Sequence, residues 1–136
     1  MYRVDIYLWN LIEGAGGKPI IARKSMCVGQ GITSTGTMGR IEEHALTINI
    51  ESKGLVLLCG CAHPGIIDMV ERAKLVTGVS KVHAVLGGLH VSSYREGAQV
   101  AEYFNSIGVE VVSPCHCTGE DAKRSISKIF KGKYVT

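Results

Sequence analysis

The sequence predicts an α/β fold in a single domain: a mainly β segment over residues 1–54, then three strand–helix units over residues 55–136. Two observations carry this. From Leu55 onward, a short apolar run is followed three times by apolar residues at helical spacing, the pattern of parallel strands joined by right-handed crossovers. The 136 residues are 46% hydrophobic and 20% charged, the balance of one globular domain rather than of a disordered chain.

In the β segment, Tyr2 to Trp9 is an apolar, β-favouring run, and Pro19 to Cys27 is a second, weaker one. Glu13 to Lys18 between them is a glycine-rich turn. It has the wrong spacing for a phosphate loop, and no Ser or Thr follows its lysine. Gly29 to Gly39 reads as a loop of turn-forming residues. His44 to Glu51 alternates, Ser52-Lys53-Gly54 turns, and Leu55 to Leu58 is continuously apolar. That predicts a hairpin whose second arm is buried on both faces.

The first unit then has a helix with Ile66, Met69, Val70, Ala73 and Val76 on one face. The second joins Val82–Leu86 to a helix carrying Val100, Ala101, Phe104 and Ile107. The third joins Val109–Val112 to one carrying Ala122, Ile126, Ile129 and Phe130. Pro64 suits a first helical position, Ser93 to Glu96 forms a capping box, and Gly108 ends that helix. Thr118 to Asp121 predicts a second box at the last helix.

Charge and composition narrow the function. Fifteen Lys and Arg against twelve Asp and Glu leave a net charge of +3, which asks for neither nucleic acid nor an anionic membrane. No apolar run approaches the roughly 20 residues that span a bilayer. The first residues lack a secretory pattern, so the expected address is cytoplasmic. Four of the five cysteines form two Cys-x-Cys pairs, which in that setting favours metal or redox chemistry over a disulfide framework.

Each unit places a histidine just past the carboxyl end of its strand: His63, His90 and His116. In open α/β sheets that edge is where ligands bind. One histidine in a loop is an ordinary surface residue, but three at equivalent ends of successive units point to a shared site. Imidazole suits zinc, with iron or manganese as alternatives, and Cys61 adds a soft donor. For Cys61, Cys115 and Cys117 together, ligation, redox activity and packing are all open. His44 and His83 read as structural, Cys59 as a small buried residue and Cys27 as core.

Gly60-Cys-Ala-His-Pro-Gly65, Gly87-Gly-Leu-His90 and Pro114-Cys-His-Cys-Thr-Gly119 carry a family resemblance, supported by Glu42 to Leu46 and Lys53 to Val56. Over about residues 29 to 131 the chain resembles the carboxyl-terminal half of the metallo-β-lactamase superfamily. The branch is that of the dihydropterin-ribofuranosylaminobenzene phosphate synthase-like hydrolases. The resemblance implies half of an αββα sandwich and a one- or two-metal centre at the sheet edge that activates water against an ester, phosphoester or amide-like bond in a small-molecule substrate. It assigns His63 and His116 as ligands, and His90 as a third ligand or catalytic acid/base. The family's His-x-His-x-Asp-His motif occurs nowhere in this chain. The implied protein is therefore a truncated or split hydrolase. A half-fold would leave an apolar sheet face to be covered by a second copy or by a separate amino-terminal-half chain. The alternative is a non-catalytic metal-binding, redox or interaction module.

Overall fold

In the computed structural model, which describes residues 6–136, one seven-stranded sheet organises the chain. Its strands lie in chain order: β1 (Met26–Gly29), β2 (Ile32–Ser34), β3 (Ala45–Ile50), β4 (Gly54–Cys59), β5 (Val82–Gly88), β6 (Val111–Cys115) and β7 (Lys133–Tyr134). Strands β1 to β4 pair antiparallel and β4 to β7 pair parallel. Helix α1 (Ile6–Gly14) precedes the sheet, while α2 (Ile66–Thr77), α3 (Tyr94–Ser106) and α4 (Glu120–Ile129) are the crossovers. Each crossover steps to the adjacent strand in the same direction, so right-handed connections put α2, α3 and α4 on one face.

That face holds the core. Leu57, Val85 and Val112 are direct neighbours across β4, β5 and β6, and none is more than 1% exposed. Met69 and Val70 of α2, Phe104 of α3 and Ile126 of α4 are all fully buried above them. The opposite face carries the alternate residues. Leu46, Leu58 and Leu86 form one cross-strand row there. Leu46, Ile50 and Leu58 remain 36–38% exposed. Helix α1 has no buried residue, and Ile6, Tyr7, Leu8, Leu11 and Ile12 are all exposed.

The parallel half follows the sequence reading closely, and so does the β3–β4 hairpin. Ser93 accepts the Glu96 N–H while the Glu96 carboxylate accepts the Ser93 N–H, completing the capping box at α3. Ser93→Ala is expected to cost about 1 kcal/mol, the usual value of an N-cap. The check is the urea midpoint, and an unchanged midpoint would remove the box as a source of stability.

Elsewhere the structure corrects the reading. Ile6 to Trp9 is helical, not extended, and the helix runs on to Gly14, into the start of the predicted turn, which follows at Ala15 and Gly16; residues 2–5 of that run lie outside the described residues. Pro19 to Cys27 yields only the start of β1, and the predicted loop at 29–39 contains β2. Cys27 is exposed rather than core. Leu58 is partly exposed, so β4 is covered on both faces only over its first residues. Helix α2 begins at Ile66 with Gly65 as its N-cap, two residues beyond Pro64. Gly119, not Thr118, caps α4, because the buried Thr118 hydroxyl is engaged elsewhere: it accepts from Leu89 N–H and donates to the Cys115 carbonyl. No described helix is long and apolar enough to cross a membrane.

Candidate functional site

Parallel pairing aligns the carboxyl ends of β4, β5 and β6, with Cys59 beside Gly87 and Gly88 beside Cys115. The three histidine loops therefore leave the sheet along one edge, as its strand order requires. Each also turns through a left-handed residue that is not glycine: Ala62 (φ 58°), His90 (φ 50°) and His116 (φ 47°). Such conformations cost energy and survive only where the surroundings over-determine them. Two of the three strained residues are the histidines themselves.

The first loop is clamped by Glu43, a residue the sequence reading quoted but gave no role. One carboxylate oxygen accepts the N–H groups of Cys61 (2.8 Å) and Ala62 (2.9 Å). The other accepts the His63 N–H (2.9 Å) and its ring Nδ1 (2.8 Å). Burial alone would raise the Glu43 pKa, but the hydrogen bonds from the Cys61, His63 and Ala62 backbone and from the His63 ring outweigh it and hold the carboxyl at about 2. Because an ionised carboxylate only accepts, Nδ1 is the donor of that hydrogen bond, and a neutral ring then keeps its lone pair on Nε2. This is the second-sphere arrangement that orients a metal-binding histidine.

The His90 ring meets that of His63, with centroids 4.3 Å apart. Both line a cavity of about 460 Å³ together with Asp68, Leu89, Glu96 and Gln99. Glu96 owes its low carboxyl pKa, about 2, first to the backbone N–H groups of Ser93 and Ser92. His116 lines a different hollow of about 490 Å³, beside Cys115, Glu120, Lys123 and Arg124. The structure thus brings His63 and His90 into contact, while His116 lines a separate hollow. His44 bonds to Ser34, and His83 pairs with Glu110 at the other end of its strand.

The cysteines divide by environment. Burial, then the charges of Glu43 and the other site thiols, push Cys59 up to about 12, and it points at the Leu86 and Gly88 carbonyls. Cys61 and Cys117 are neighbours: the Cys117 thiol donates to the Cys61 carbonyl oxygen at 3.1 Å, and its proximity raises the Cys61 pKa. Cys115 is exposed.

His63 fits the role of a metal ligand, with one nitrogen anchored and the other free. The chain's own donors do not close a centre around it: among the described residues, no three His, Cys, Asp or Glu side chains are grouped to hold an ion.

No family model matches the chain. It is 30% identical over 96 residues to 7,8-dihydropterin-6-methyl-4-(β-D-ribofuranosyl)-aminobenzene-5'-phosphate synthase of Methanocaldococcus jannaschii, covering 69% of this chain and 33% of that protein. An uncharacterised protein of the same organism is 34% identical over 76 residues, covering 54% and 28%. The chain spans about a third of the length of these curated relatives. A solved structure of a metal-dependent hydrolase of the β-lactamase superfamily superposes with a TM-score of 0.71 and 29% identity, over 88% of this chain and 55% of the other.

Proposed function

We propose, starting from the metallo-β-lactamase-like fold and the likeness to its metal-dependent hydrolases, that this chain supplies one side of a hydrolytic metal site. The observation that carries the reading is the Glu43–His63 clamp, which presents His63 Nε2 beside the His90 ring at the carboxyl edge of a parallel sheet. His63 and His116 act as ligands from this chain, with Cys61 as a further soft donor. His90 is a third ligand or the group that moves a proton at the substrate.

The remaining donors come from a His-x-His-x-Asp-His segment outside this sequence, on a partner chain, or from a second copy of the chain. The apolar face bearing Leu46, Ile50 and Leu58 gives such a partner a surface to cover. A divalent cation, zinc first and iron or manganese as alternatives, supplies Lewis-acid activation of water and of the scissile bond. The clamp fixes one ring, and His90 is close enough to share its proton traffic. An ester or phosphoester of small-molecule size suits the cavity beside the two rings.

Elemental analysis after equilibration with zinc and dialysis tests the ligand set. Wild type is expected to retain metal, His63→Ala to lose it and His116→Ala to retain less. Equal retention by all three overturns the assignment. Phosphodiester hydrolysis with and without added zinc separates the hydrolase from a metal-holding module. Light scattering should show a species larger than the 14.6 kDa monomer if two copies complete each other. A clean monomer at micromolar concentration would exclude self-completion.

A further inference from the structure

We propose that Cys61 and Cys117 are a reversible redox pair, closing to a disulfide by exchange with a small-molecule disulfide such as glutathione disulfide. Neither residue need serve as a metal ligand for this to hold, so the idea stands apart from the hydrolase reading.

The two cysteines follow strands that are not neighbours. Cys61 lies two residues past β4 and Cys117 two past β6, with β5 between them. Two strand spacings would part them by about 9–10 Å, whereas a disulfide needs Cα atoms about 4.4–6.8 Å apart. The first loop bends over the end of β5 toward the third, and Gly88 leaves the room for it. Its N–H donates to the Gly60 carbonyl at 3.1 Å, drawing the first loop across. A Cβ on Gly88 would stand 2.4 Å from the Gly60 oxygen, 2.6 Å from Cys117 Sγ and 3.1 Å from Cys61 Cα. The sulfur of one cysteine and the backbone of the other therefore share the space a side chain at position 88 would fill. In that space Cys117 Sγ lies 3.1 Å from the Cys61 carbonyl oxygen, on the backbone of its partner.

The remaining cysteines are placed differently. Cys59 is turned toward carbonyls of β5, Cys115 faces the His116 hollow, and Cys27 is on the distant strand β1. The productive pairing thus takes one cysteine from each Cys-x-Cys motif, rather than two from the same motif. Both members of the pair are only partly buried, so a small disulfide can reach them.

The exchange balances in two steps. One protein thiol, on giving up its proton, attacks glutathione disulfide, forming a mixed disulfide and releasing one glutathione thiolate. The other protein thiol, likewise deprotonated, attacks that mixed disulfide at the protein sulfur and expels the second glutathione. Two protein thiols lose two electrons and two protons, and one external disulfide becomes two thiols. The bond ties the loop of His63 to that of His116 and holds both in register.

The test uses the full 136-residue chain. After exposure to glutathione disulfide, the intact mass should fall by two hydrogens, and dithiothreitol should restore it. Fragmentation of non-reduced peptides should join Cys61 to Cys117. Cys61→Ser and Cys117→Ser should each stop at a glutathione adduct on the surviving partner, while Cys115→Ser should still close. Serine is close in size to cysteine, and circular dichroism of each variant establishes that it is folded. A wild type that stops at glutathione adducts, fails to react, or joins Cys115 to Cys117 overturns the proposal.

Discussion

Gly87→Ala is expected to destabilise the chain by about 3–5 kcal/mol, placing it among the costliest single substitutions available. A Cβ there would lie 1.9 Å from the carbonyl oxygen of Cys59 and 2.9 Å from its carbonyl carbon. Both atoms belong to the backbone of the adjacent strand, which cannot swing aside as a side-chain tip would. The φ of 125° adds a second cost, since L-residues avoid it. Gly78→Ala separates the two effects: Gly78 is also left-handed, at φ 70°, but has nothing within 4 Å of an added Cβ. Strain alone should cost it about 1–2 kcal/mol. Urea unfolding of the two variants gives the comparison. If Gly87→Ala is no worse than Gly78→Ala, β4 and β5 do not approach as described.

Glu43→Ala should cost about 2–4 kcal/mol at neutral pH, because it strips a charged acceptor from three backbone N–H groups and one ring nitrogen at once. Metal retention at His63 should also weaken about 10–100-fold, the usual effect of losing an orienting partner. The pH dependence has a definite sign. The Glu43 carboxyl titrates at about 2 in the folded chain against an ordinary value of 4.5. Its stabilisation is therefore complete above pH 4.5 and disappears as pH falls toward 2. Wild type and Glu43→Gln should differ clearly at pH 7 and converge in acid. Hydrogen-exchange protection of the Cys61, Ala62 and His63 amides should fall with the same profile. A difference that persists undiminished at pH 2 would mean that Glu43 acts by shape rather than charge.

The parallel half was legible because its signals are local and repeated. An apolar run, a glycine-bearing loop and a helical stripe recur three times, and Ser93 with Glu96 marks one helix start within four residues. The amino-terminal third was not. Ile6 to Trp9 is apolar at every position, so neither period stands out, and β-favouring side chains argued for a strand where the chain is helical. Thr118 has the sequence of a cap, yet tertiary contacts with Leu89 and Cys115 claim its hydroxyl. Histidines 63, 90 and 116 were visible from their equivalent positions. Glu43 was not, because its partners lie 18 to 20 residues away and nothing in Glu42-Glu43-His44 distinguishes the carboxylate that turns inward. The contact between Cys61 and Cys117 was hidden for the same reason, at a separation of 56 residues.

The shortness of β7 leaves β6 half uncovered, since only Val111 and Val112 have partners on that side. Backbone polar groups along a strand point alternately left and right. The Val112 carbonyl accepts from Val135, so Pro114, two residues on, presents its backbone to the same open side. Proline has no amide hydrogen to offer there. A strand extending the sheet beside His116 would find no amide donor at Pro114, so the ladder would lack one hydrogen bond there.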